Sequence, residues 1–199
     1  MRKAIWGVLA CAAMGLPASA SAQVAWDSPF LMPPRSQPGF GLFLIGPAGG
    51  DLGVLLTWTS PSWNFGVRGG IAEESGPDDD IAIFGGIDFD GSLTRSSNEF
   101  PLDIDWVIGA GLGIGDNALI SVPGGLSVGH VFTGDGVTFT PYATPRVVLD
   151  AFIGDDTDDD LELDLAFDLG LDLRFTNEFT IRFGATLGDR EAVAIGVVF

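Results

Sequence analysis

Cysteine, histidine and lysine are almost missing from this chain. Its 199 residues hold one cysteine, one histidine and one lysine, Lys3. A disulfide scaffold needs more cysteines, and no zinc site can be assembled from one histidine without thiolates. P-loop and Schiff-base chemistry need a lysine, and Lys3 stands in the leader described below. Positive charge as a whole is scarce. Lysine and arginine total 9 against 27 acids, a net charge of −18, so no basic face is on offer to nucleic acid. The apolar run Ala4 to Leu16 is too short for a spanning helix, which takes about 20 residues. Glycine is plentiful at 29 positions but never keeps the three-residue period of collagen. The remaining composition, 46% hydrophobic, excludes disorder, and the length suits one domain.

The apolar run belongs to an address. Arg2 and Lys3 precede it, Pro17 breaks it, and the small-x-small sites Ala18-Ser19-Ala20 and Ala20-Ser21-Ala22 follow. This predicts a secretory signal peptide over residues 1–22, cleaved after Ala22. Val8-Leu9-Ala10-Cys11 offers a rival, lipoprotein-type cleavage, but with a short apolar core. Cleavage after Ala22 removes the only cysteine and the only lysine. It leaves seven arginines against all 27 acids.

From Phe40 onward the pattern has period two. In Leu161 to Phe175 every odd position is Leu or Phe, while the even positions are Glu162, Asp164, Ala166, Asp168, Gly170, Asp172 and Arg174. Successive strand side chains point to opposite faces, so this is a strand with one apolar face and one polar or small face. The alternation recurs at Trp63 to Ile71, Ile81 to Asp90, Leu102 to Ile114, Phe179 to Leu187 and Ala192 to Phe199. Turn residues such as Ser60-Pro61, Glu73 to Asp80, Gly134 to Gly136 and Gly188-Asp189 separate the runs. Nine such connections predict ten strands. The count falls to eight if the first two, near Phe40 to Ile45 and Leu52 to Trp58, do not form.

Three features predict that the apolar face meets lipid. The longest strands exceed the about 9–11 residues that cross a bilayer at a tilt, and soluble strands are commonly about 5–6 residues. The polar faces are rich in glycine and alanine, which suits a narrow closed interior and would only weaken a solvated face. Aromatic residues also sort to one end. With the C-terminus on the periplasmic side, Trp58, Trp63, Phe100, Phe132, Phe139, Phe175, Phe179 and Phe199 form an expected periplasmic girdle. The opposite connections carry Asp51, Glu73-Glu74, Asp78 to Asp80, Asp116, Asp155 to Asp160, Asp189 and Glu191.

These features, with the ending Ala194-Ile195-Gly196-Val197-Val198-Phe199, resemble a small bacterial outer-membrane β-barrel of the OmpA/OmpX/OmpW-like superfamily. The resemblance covers most of residues 39–199 and selects no subfamily. It implies a Gram-negative-type envelope, with periplasmic chaperones and an insertase as assembly partners. The family hosts pores, adhesins and enzymes alike, so the fold alone does not choose among them. Residues 23–38 carry Pro29, Pro33, Pro34 and Pro38, which exclude a helix or an interior strand. They are expected as a periplasmic lead-in, with entry into the lumen as a plug the alternative.

Inward-facing charges are the candidate site. The acids are Asp88, Asp90, Asp103, Asp105, Asp150, Glu162, Asp164, Asp168 and Asp172; the bases are Arg68, Arg146, Arg174 and Arg182. One reading is a cation-preferring pore. The other is an arginine–aspartate network that fills a narrow lumen, since buried charges must be paired. Nine acids to four arginines leaves five acids to be hydrated, protonated or metal-bound. Asp156, Asp158 and Asp160 form a weak calcium candidate that lacks the spacing of an EF-hand, and acidic outer loops can attract divalent cations. Gly109, Gly111, Gly113 and Gly115 keep period two rather than G-x-G-x-x-G, so they read as small inward residues and not as a phosphate loop. His130 is placed outward, on the face opposite Ser121 and Ser127, which argues against a Ser–His pair.

The sequence therefore predicts a non-enzymatic outer-membrane barrel, structural or a narrow cation-preferring pore, with no cofactor and no catalytic residue. Two alternatives stand beside it. One is an outer-membrane hydrolase or lipid-modifying barrel enzyme, and the other a soluble exported ligand-binding barrel.

Overall fold

A computed structural model describes residues 23–75, 80–115, 117–153, 161–175 and 179–199. The expected leader at 1–22 and the calcium candidate Asp156, Asp158 and Asp160 lie outside the described residues. The strands are β1 (Gly39–Gly46), β2 (Gly50–Thr59), β3 (Phe65–Glu74), β4 (Ile81–Thr94), β5 (Asp103–Ile114), β6 (Ala118–Gly129), β7 (Phe132–Thr133), β8 (Val137–Ile153), β9 (Leu161–Phe175), β10 (Phe179–Gly188) and β11 (Ala192–Val198).

Neighbours in sequence pair antiparallel, β1 closes on β11, and β6 pairs directly with β8. The result is a closed ten-stranded barrel, with β7 a two-residue hairpin arm on β8. Closure leaves no free sheet edge, so the ladders satisfy the backbone of every barrel strand. The first two strands do form, which removes the eight-stranded alternative. Both are secured, because β1 lies between β2 and β11.

The period-two pattern sets the faces. On β9, Asp168 and Asp172 are buried while Leu163 and Leu165 are 67% and 61% exposed. All ten barrel strands present exposed Leu, Ile, Val, Phe or Trp outward. The interior is not wholly polar. Phe43, Leu55 and Phe84 point inward and are buried, giving the lumen an apolar side on β1, β2 and β4.

The largest difference from the sequence reading is the proline-rich lead-in. It does not lie outside the barrel. Residues 23–34 are buried without a break. Ala25 N–H donates to the Ala48 carbonyl at the β1–β2 turn (3.0 Å), and at the far end Phe40 N–H donates to the Phe199 carbonyl (2.8 Å). The segment thus runs the height of the lumen from the acidic end to the aromatic end. Prolines bar it from a ladder, but a chain that turns at Trp26–Asp27 is held there because wall side chains satisfy its backbone.

Candidate functional site

Asp27 is fully buried in the filled lumen. Its Oδ2 accepts from Arg146 Nη1 and its Oδ1 from Arg190 Nη1, the latter at 2.7 Å. Arg146 stands on β8 and also donates from Nε to Asp168 Oδ2 on β9 (2.6 Å). Asp168 Oδ1 in turn accepts from Thr186 Oγ1 on β10 (2.5 Å) and from the Phe30 N–H of the plug (3.3 Å). Register explains this convergence, since Asp168 lies opposite Thr144 on one side and Thr186 on the other. Arg190 follows β10 and reaches Asp150 and, at 3.2 Å, Asp164. Two guanidiniums therefore share one plug carboxylate, and each keeps a carboxylate of the wall.

Two further arginines grip the plug backbone. Arg182 forms a bidentate pair with its cross-strand neighbour Asp172 (2.7 and 2.8 Å) and donates to the Leu31 carbonyl (3.1 Å). The fork geometry makes such pairs strong. Arg68 pairs with Asp88 (2.9 Å), reaches the Pro29 carbonyl (3.5 Å) and stacks 4.8 Å from the Phe30 ring. Ser127 Oγ donates to the Met32 carbonyl (2.5 Å), and Trp26 Nε1 to the Ser121 carbonyl (3.0 Å). Where the segment leaves the lumen, Arg35 takes a positive φ of 56°, which is uncommon outside glycine. Two acids hold it. Its Nε donates to Asp103 Oδ1 (2.9 Å) and its N–H to Asp105 Oδ2 (3.2 Å), while Arg95 pairs with Asp105.

The expected network thus changes membership. Asp88, Asp103, Asp105, Asp150, Asp164, Asp168 and Asp172 are all in ion pairs with arginine. Glu162 is not in the network; it is exposed at the acidic end of β9. Asp90 is half-buried without an ion pair among the described residues, and Arg174 Nε is buried without a hydrogen-bond partner there. Four further acids, Asp103, Asp105, Asp150 and Asp164, find their partner in Arg35, Arg95 and Arg190. Nothing in the alternation marks these three, because they lie in the plug and in turns. Elimination could have found them: once the four inward arginines are spent, they are the only cations left after residue 22. Asp27, in the proline-rich segment, was missed for the same reason.

The inward glycines also find their reason. A Cβ on Gly86 would sit 2.3 Å from the Trp26 ring, one on Gly109 2.8 Å from it, and one on Gly184 2.3 Å from Leu31. The glycine rows are a floor for the plug's large side chains. Gly86→Val is expected to cost about 1–3 kcal/mol by overpacking, read by urea unfolding. Adding Trp26→Ala is expected to recover part of that loss, because the clash is with the indole. An undiminished loss in the double variant would place the strain elsewhere.

The remaining expectations place as follows. His130 is half-exposed at the aromatic end, edge-on to Phe132 at 4.4 Å, with Nδ1 against the Pro101 carbonyl. Ser121 and Ser127 are buried in the lumen, so neither of them meets it. Among the described residues no group of three or more His, Cys, Asp or Glu could hold a metal. At the aromatic end Trp58 packs on Phe65 (5.5 Å), Phe132 on Phe139 (6.2 Å) and Phe175 on Phe179 (5.4 Å). Trp63, Phe100 and Phe199 are exposed at the same end. Phe40, Phe65 and Phe89 join this ring and were not among the expected members.

No family model matches the chain, and no curated protein matches it. Among solved structures it is similar to one described as "De novo design of transmembrane beta-barrels", with 13% identity and a TM-score of 0.37, over 83% of this chain and 98% of that one. A likeness this distant adds no weight; the fold stands on the chain's own ladders.

Proposed function

We propose that the chain is an exported, non-enzymatic outer-membrane β-barrel whose lumen is sealed at rest by its own residues 23–34. The observation that carries this reading is the direction of the apolar face. The odd positions of β9, from Leu161 at 72% exposed to Leu169 at 43%, look outward, and every barrel strand does the same. A soluble ligand-binding barrel would place that face in its core, and a contiguous apolar surface of this extent needs a lipid solvent. The acidic end faces outward from the cell, and the aromatic end lies at the periplasmic interface. Membrane lipid, periplasmic chaperones and an insertase are the partners, with divalent cations drawn to exposed Asp51, Glu73 and Glu191. In this reading His130 has no catalytic role; it packs on Phe132 and the Pro101 carbonyl.

The test is fractionation followed by gel migration. The chain is expected in the membrane fraction, extracted only by detergent, with migration that changes on heating. A monomer recovered from the soluble fraction without detergent would overturn the reading.

A further inference from the structure

Residues 23–38 are held in a manner that lets them leave, and we propose that their withdrawal opens a path for small hydrated cations through the lumen. This rests on the membrane reading above, in which the exported chain begins at Gln23.

Three observations carry it. First, the plug adds no strand to the barrel. The β1–β11 and β6–β8 ladders close the wall without it, so its exit breaks no ladder. Second, the wall arginines do not depend on the plug for charge balance. Arg68 keeps Asp88, Arg146 keeps Asp168, Arg182 keeps Asp172, and Arg190 keeps Asp150 and Asp164. Breaking an ion pair is costly mainly when it strands a buried charge. Asp27 loses its arginines and leaves with the plug for water, and at the mouth Asp103 loses Arg35 but keeps the N–H and hydroxyl of Ser96. Third, the wall beside the plug carries polar atoms that a permanently dry interior would leave unsatisfied. Ser121 Oγ, Tyr142 OH, Thr144 Oγ1 and Asp150 Oδ1 are buried, belong to inward-facing positions of β6 and β8, and have no hydrogen-bond partner among the described residues. Buried polar groups are nearly always paired. Water entering the vacated lumen would satisfy all four.

The permeant sign follows from the wall. Its carboxylates outnumber its guanidiniums, and Asp90, near Asp88 and Asp105, forms no ion pair among the described residues. A pore lined this way prefers cations.

The chain lends itself to a clean staple, since Cys11 is its only cysteine. Ala25 N–H bonds the Ala48 carbonyl at 3.0 Å, so the two residues are neighbours, and formation of the disulfide between cysteines there is verified by free-thiol titration before recording. Full chains carrying Cys11→Ser with Ala25→Cys and Ala48→Cys would be purified from membranes in detergent and placed in planar bilayers in KCl. The oxidised protein is expected to be silent, and reduction to restore discrete openings that favour K⁺ over Cl⁻. Asp27→Asn, which releases the central bolt, is expected to raise opening frequency at least about tenfold, and Asp90→Asn to lower the cation preference. Identical currents before and after reduction would overturn the proposal. So would an inserted, heat-modifiable barrel that stays silent as Asp27→Asn. A chain that never enters the bilayer would overturn the membrane reading and this proposal together.

Discussion

Arg190→Ala is expected to cost the folded barrel about 3–5 kcal/mol, the range for removing one partner of a buried ion pair. Arg190 is 4% exposed and faces the buried Asp27 and Asp150 and the partly exposed Asp164. Its loss leaves those carboxylates facing one another, with only Arg146 still on Asp27. Asp27→Ala is expected to cost less, about 1.5–3 kcal/mol, the range for hydrogen bonds to charged groups, because both arginines retain a wall carboxylate. Urea unfolding of the two variants and the double variant, each in the same detergent, gives the comparison. The order is the result that matters. If Asp27→Ala proved as damaging as Arg190→Ala, the wall acids would not be covering for the plug. A loss below about 1 kcal/mol for Arg190→Ala would mean that water already solvates the cluster.

That cluster also shows what the sequence could and could not reveal. Strand β9 was legible to the residue, from Leu161 to Phe175, because apolar side chains at every odd position admit no helical reading. The start of β3 was less clear. Trp63 fits the alternation, yet the strand begins at Phe65, since Ser60 Oγ accepts from Ser62 and Trp63 N–H and folds them into the turn. The plug was legible only as an alternative to a lead-in, for a deeper reason. Periodicity registers only residues that share a ladder with their neighbours. The plug instead satisfies its backbone with side chains far away in sequence, as when Met32 accepts from Ser127. Beside its prolines, a further trace was indirect, in inward glycines that now lie opposite Trp26 and Leu31.

Leu169→Arg is expected to cost about 2–4 kcal/mol when the barrel is folded into lipid vesicles, the range for arginine at the bilayer midplane on a lipid face. Leu169 lies near the middle of β9, outward-facing, between Ala143 on β8 and Ala185 on β10. The same substitution at Leu161, at the acidic end of that strand and 72% exposed, is expected to cost about 0–1 kcal/mol. Local packing cannot produce that gradient on its own. Leu169 and Leu161 are the same residue type, on the same strand and the same face, and Leu169→Ala controls for the packing lost at the middle position. Only a solvent whose tolerance of charge changes with depth separates the two arginines. Unfolding curves in vesicles that give equal losses at both positions would mean that the outward face meets no bilayer. A large loss at Leu169 beside a small one at Leu161 would fix the midplane of the membrane on the barrel. It would also set the charged cluster around Asp27 at a measured depth, inside a wall that lipid surrounds.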